Sequence, residues 1–126
     1  MITVPYDLGA VGVEQVASAD ITKADTTVEI ISLPANCLIT RVIAEVTEAF
    51  NAATTNVLTV GTNVDVNDLL GEGDVNESAS GFYESATVKA KKLTAAATVK
   101  AKYAYTGTAP TTGKATIYVF FVRLQP

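Results

Sequence analysis

The chain's 126 residues are the size of one ordinary domain, long enough to bury about two thirds of the unfolded chain's surface without staples. Apolar residues make up 48% and charged residues 17%, with a net charge of −4, which excludes disorder driven by charge and low hydrophobicity. A single Cys excludes an internal disulfide, the absence of His excludes Ser-His-Asp and His-metal chemistry, and no apolar run approaches the roughly 18 residues of a membrane span.

Residues 1–25 read as an N-terminal arm or short strands, and 26–126 as a β-sandwich domain. Ile2–Tyr6 fits a short strand or an extended arm; the first fifteen residues lack the basic start and long apolar stretch of a signal peptide. Val11–Ile21 has some helical spacing, weakened by Gly9 and Gly12. Thr26–Ser32 reads as a strand ended by the turn signal Leu33-Pro34-Ala35-Asn36. From Leu38 a long strand alternates, placing Leu38, Thr40, Val42, Ala44 and Val46 on one face and Ile39, Arg41, Ile43, Glu45 and Thr47 on the other. Val57–Thr62 reads as a strand ended by Gly61, and Asn63–Gly81 as a polar, Gly-rich loop.

The last third holds a short repeat. ATVKAK occurs at Ala86–Lys91 and again at Ala97–Lys102, with Val and Ala on one face and the lysines on the other. Two such strands joined by Lys92–Ala96 predict a hairpin with a lysine-lined outer face, which also opposes sheet aggregation. Thr98–Thr106 continues through Tyr103 and Tyr105, Gly107–Gly113 is a turn, and Ala115–Leu124 is the final strand. Its two faces are both apolar: Ile117, Val119 and Phe121 on one, Tyr118, Phe120, Val122 and Leu124 on the other. A doubly apolar strand is either central in a layered sandwich or carries one face into another subunit, so the second set is the candidate interface. The fold class is therefore all-β, an antiparallel sandwich or jelly roll of about seven or eight strands.

Charge is unevenly distributed along the chain. Residues 1–84 hold all thirteen acids with only Lys23 and Arg41, net −11, whereas 85–126 hold six Lys, Arg123 and no acid, net +7. The plainest account is that acidic and basic segments lie side by side and neutralise each other. The lysines alternate with apolar residues and lack the clustered basic and aromatic pattern of a nucleic-acid platform, so neither nucleic acid nor membrane is an expected partner.

Candidate chemistry is sparse. Cys37 begins an apolar strand and reads as a buried hydrophobe, with Arg41 the nearest cation in sequence. The segment Asn63–Glu77 gathers Asp65, Asp68, Glu72, Asp74 and Glu77, and its oxygens suit Ca²⁺; Asp65, Asp68 and Asp74 are the weak candidates. The calcium-loop spacing fails, because counting from Asp65 puts Leu69 at the fifth position and Asn76 at the twelfth. No phosphate loop, dinucleotide fingerprint or Cys pair occurs, so no catalytic residue and no cofactor is assigned. Absence of Trp counts against a sugar-stacking platform, although Tyr83, Tyr103, Tyr105 and Tyr118 could substitute.

Three strings, LPANCLITRVIAEVTEAFNAATTNVLTVGTNVDVNDLLGEGDV, SGFY and TAPTTGKATIYVFFVRL, together resemble small structural proteins of tailed bacteriophages. The shared pattern runs from about residue 28 to 124: a proline turn, a long strand ending at Ala49-Phe50, Val60-Gly61 before an Asp-containing loop, and Gly113-Lys114-Ala115 opening an apolar strand. The resemblance implies a small β-sandwich or jelly-roll virion protein of decoration or minor capsid type, with no catalytic residues. It further implies self-association, with a trimer suited to threefold lattice sites, and binding to phage capsid or tail proteins in a particle assembled in the host cytoplasm. The competing reading is a glycan-binding or adhesive module of a tail or cell-surface structure.

Overall fold

The computed structural model describes residues 8–85, 88 and 90–124, so the expected strand or arm at Ile2–Tyr6 lies outside the described residues. Eight strands follow one another: β1 (Glu14–Thr22), β2 (Thr27–Leu33), β3 (Cys37–Glu48), β4 (Thr55–Gly61), β5 (Gly81–Glu84), β6 (Lys91–Lys92), β7 (Ala97–Thr106) and β8 (Lys114–Arg123). They form two antiparallel sheets packed as a sandwich. One sheet has the order β1-β8-β3-β5, with β6 also pairing β3; the other has the order β2-β7-β4. Every connection crosses from one sheet to the other except β5 to β6.

The core is what period-2 alternation in Val-, Ile- and Ala-rich segments produces when two sheets face each other. The larger sheet sends in Ala17 and Ile21, then Cys37, Ile39, Val42, Ala44 and Val46, then Ile117, Val119 and Phe121. The smaller sheet answers with Ile31, Leu33, Leu58, Val60, Val99, Ala101 and Tyr103. Loop residues Phe50, Leu69, Leu70, Val75 and Leu93 close the ends.

Three expectations are corrected. Strict alternation from Leu38 would keep Leu38 and Thr40 on the face of Val42, but β3 shifts register against β8 between Ile39 and Arg41. This bulge at Thr40 changes the phase, so Cys37 and Ile39 point inward with Val42, Ala44 and Val46. Second, the two ATVKAK copies do not form a hairpin. Ala86, Thr87 and Lys89 lie outside the described residues, but Lys91 and Lys92 form β6 against Ile39 and Leu38, while Ala97–Lys102 belongs to β7 in the opposite sheet. Leu93 carries the chain across: it is buried, donates to the Cys37 carbonyl at 2.7 Å, and accepts from the Asn36 amide at 2.8 Å. Third, Val11–Ile21 is not helical; Glu14–Thr22 pairs with β8 along its whole length.

Glycine fixes one contact between strand ends. Gly113 has φ +148°, and a Cβ there would lie 2.8 Å from Cε2 of the buried Phe50. Phe50 stacks in turn against Tyr103, with ring centroids 4.5 Å apart. Gly113→Ala is therefore expected to destabilise by about 2–3 kcal/mol through overpacking and backbone strain. Gly12→Ala, at φ +76° with no atom within 4 Å, is expected to cost only the left-handed penalty of about 1–2 kcal/mol. Thermal unfolding of the two variants separates the effects, and equal melting temperatures would contradict the steric role of Gly113.

Candidate interaction surfaces

The outer face of the larger sheet is built by the residues that alternate away from the core. Register places Val16, Phe120 and Arg41 in one row across β1, β8 and β3, Ser18, Tyr118 and Ile43 in the next, and Glu14, Val122 and Leu38 at the end. The candidate interface residues Tyr118, Phe120 and Val122 thus lie together at the centre of this face, half-buried by their strand neighbours, and Leu124 continues it as an exposed residue just beyond β8. Phe82 of β5, 71% exposed, extends the apolar surface beside Glu45.

The polar groups around this surface are tied to one another. Arg41 donates Nε to Glu84 Oε1 at 3.0 Å and a second nitrogen to Oε2 at 3.3 Å, while its guanidinium lies 6.0 Å from the Phe120 ring centre. Tyr118 donates its hydroxyl to Glu45 at 2.8 Å, Thr40 to Glu14 at 2.8 Å, and Thr116 to Asp20 at 2.7 Å. The Glu45 carboxylate accepting its hydrogen bond pushes the Tyr118 phenol above the usual range. The aromatic centre is consequently framed by side chains whose hydrogen bonds are already made.

The acidic loop lies along β4, an edge strand, and accepts hydrogen bonds from backbone donors on the side away from β7. Leu58 donates to the Glu77 carboxylate at 2.9 Å, Val60 to the Leu70 carbonyl at 2.9 Å, and Thr62 to Asp68 Oδ1 at 2.6 Å. Asp68 also accepts from the Thr62 hydroxyl at 2.7 Å and from Lys91, its ion-pair partner. Asp74 accepts from the Gly71 amide at 2.8 Å, turning the loop on itself. Gly61 permits the close approach, since a Cβ there would lie 2.6 Å from the Asn67 amide nitrogen. Asp65, Asp68 and Asp74 do not converge: among the described residues no group of three or more His, Cys, Asp or Glu is placed to hold a metal ion.

The remaining candidates are dispersed. Cys37 is fully buried; burial pushes its thiol up, opposed by the positive charge of Arg123, its neighbour across the β3–β8 pair. That cation, remote in sequence, is visible only once the strands are paired. Tyr103 is in the core with its hydroxyl on Asn56 at 2.6 Å, and Tyr83 is tied to the Ala79 carbonyl at 2.8 Å. Tyr105 is partly exposed at the end of β7, stacked 6.0 Å from Tyr103, and Tyr118 is on the outer face of the other sheet. The four tyrosines do not make one platform.

No protein-family model and no curated protein matches the chain. Its fold does match solved structures. A chain of the acidic stable capsid structure of Helicobacter pylori bacteriophage KHP30 superposes with a TM-score of 0.68 at 20% identity, covering 90% of each chain. A chain of the cyanophage Pam1 capsid asymmetric unit superposes with a TM-score of 0.65 at 16% identity, covering 99% of this chain and 94% of that one. The all-β sandwich is thus a fold found in phage capsid structures, in line with what the sequence resemblance implies.

Asp68 and Glu77 make the loop respond to pH in opposite senses. Burial alone would raise Asp68, but the Lys91 ammonium and the two Thr62 hydrogen bonds outweigh it and hold the carboxyl below its ordinary 3.8. Its contribution to stability is complete above that value and is lost as pH falls through the lower folded one. Burial raises Glu77 above its ordinary 4.5 despite the Leu58 amide. Its contribution is complete below 4.5 and is lost as pH rises through the raised folded value. Asp68→Asn is expected to cost about 1–2 kcal/mol near neutrality, with the difference from wild type closing in strong acid. Glu77→Gln is expected to flatten the decline just above pH 4.5. Urea unfolding across the acid range reads both, and a Glu77→Gln profile parallel to wild type would contradict the assignment.

Proposed function

We propose that this chain is a non-enzymatic structural component of a tailed-phage virion, a head decoration or minor capsid protein that self-associates and binds the particle lattice. The observation that carries the reading is the apolar outer face of the larger sheet, in a fold shared with chains of two phage capsid structures. The strand orders β1-β8-β3-β5 and β2-β7-β4 support a jelly-roll interleaving. Phe120, Tyr118 and Val122 supply the contact area, Leu124 and Phe82 extend it, and the paired polar rim limits the side-chain entropy lost on docking. Itself and phage capsid proteins are the partners under this reading, the virion is its location, and a trimer is the stoichiometry that threefold lattice sites favour.

Two measurements test it. Size-exclusion chromatography with light scattering is expected to give a closed oligomer of the 13.1 kDa chain, and Phe120→Asp to give a monomer with little change in melting temperature. Phage heads assembled without the protein, then incubated with it and sedimented, are expected to carry the wild-type chain and to lose at least about tenfold of it with Phe120→Asp. A wild-type monomer at every concentration would remove self-association. Equal retention of the two proteins would remove the outer face as the lattice contact, and no retention of either would remove lattice binding itself.

A further inference from the structure

The edges of the two sheets are not treated alike. β4 has its Leu58 and Val60 amides met by Glu77 and Leu70, and the Thr62 amide just past its end met by Asp68. β5 and β6 are only four and two residues long, and β2 breaks register at Ile30 between Glu29 and Ile31. These are recognised ways of blunting a strand edge. β1 uses one of them only at its last residue, Thr22, whose amide donates to Asp25. It runs nine residues in unbroken register with β8, contains no Pro or Lys, and has β8 as its sole sheet partner among the described residues.

The backbone directions along β1 follow from its C-terminal end. Lys23 donates its amide to the Gly113 carbonyl of the β8 side at 3.0 Å, whereas Thr22 donates off the strand to Asp25 at 2.8 Å. By the two-residue alternation, Val16, Ser18 and Asp20 direct their amides and carbonyls outward from the sheet edge. We propose that the outer edge of β1, unpaired in the sheet among the described residues, is a strand-addition site that takes an extended, lysine-bearing segment of another protein.

Charge selects that occupant over a second copy. Glu14 and Asp20 are the charged residues of β1, and both are acidic. Two β1 strands laid antiparallel with most of their length overlapped bring Glu14 of one opposite or diagonal to Asp20 of the other, an unfavourable cross-strand pairing. A segment bearing lysines at alternate positions meets the same acids favourably. Asp20 retains 54% of its side-chain exposure although Lys114 lies 3.6 Å away and Thr116 donates to it. Glu14 leans over the sheet to Thr40, so neither carboxylate obstructs the edge backbone. Main-chain hydrogen bonds would supply the affinity and the alternate side chains the selection.

The proposal is independent of the virion reading and is tested on the isolated chain. The probes are a blocked heptapeptide alternating Lys with Thr and Val, and its counterpart with Glu in place of Lys. Adding the Lys peptide is expected to slow hydrogen exchange at the Val16, Ser18 and Asp20 amides, with the Glu peptide binding at least about tenfold more weakly. Ser18→Pro removes an outward amide while leaving the bonds to β8 intact, and is expected to abolish Lys-peptide binding. Ser18→Lys, which leaves the backbone unchanged, is expected to weaken it by charge repulsion, keeping the test valid if the proline variant does not fold. Binding without protection of these amides, or no binding of the Lys peptide, would overturn the proposal. So would protection that rises with protein concentration in the absence of peptide, because the occupant would then be a second copy.

Discussion

The rest of the structure depends on β8 being apolar on both faces. Flanked by β1 and β3, it puts Ala115, Ile117, Val119 and Phe121 wholly inside the sandwich, where each of the three larger side chains contributes about 1.5–3 kcal/mol by leaving water. The opposite sheet can cover only that one face. Tyr118, Phe120 and Val122 therefore fall on the outside by the same alternation that buries their neighbours. The interior and the outer apolar surface are two consequences of one strand, and neither could be altered by a register slip without exchanging with the other.

The second constraint is closure of the smaller sheet, which has only three strands. Beside β4 the acidic loop takes the place of a further strand. Val66, Leu69, Leu70 and Val75 anchor it in or against the core, while Asp68, Glu77 and the Leu70 carbonyl receive the donors of the strand edge. Its carboxylates are thus backbone acceptors that stabilise an edge. Lys91 adds a tether between this loop and β6 in the other sheet, so the loop ties both layers together.

Much of this was legible in the sequence where a local rule governs. The strands corresponding to β2, β3, β4, β7 and β8 follow from alternation and turn residues, and the proline turn is closed by Asn36 in a left-handed conformation, φ 64°. The motif pairs also acquire reasons: Gly113 clears the ring of Phe50, and Gly61 clears the loop that carries Asp68. The outer-face residues of β8 could be named because a doubly apolar strand is visible in one dimension. What was illegible depends on pairing. The bulge at Thr40 arises from the fit of β3 to β8, and β5 and β6 are too short to show a period. The identical copies of ATVKAK separate because their ends have different neighbours: Lys91 and Lys92 lie against β3, whereas Ala97–Lys102 lies between β2 and β4.

Strand order also explains the division of charge along the chain. β7 lies between β2 and β4, and β8 lies between β1 and β3, so the basic last third supplies the centre of each sheet and the acidic first part its flanks. Glu29 is the cross-strand partner of Lys100 and Glu48 that of Lys114, while Asp20 pairs with Lys114 at 3.6 Å and Asp68 with Lys91. Each exposed contact is worth little alone. Together they place opposite charges beside each other only when the late strands insert between the early ones, and a reversed order would set acid against acid. The same insertion requires both sheets to be completed by segments distant in sequence, which raises the contact order and delays formation of the native sheets until β7 and β8 are in place. Until then β1, β2 and β4 lack the strands that pair them, and the acidic charge concentrated in the first 84 residues keeps those unpaired segments mutually repulsive.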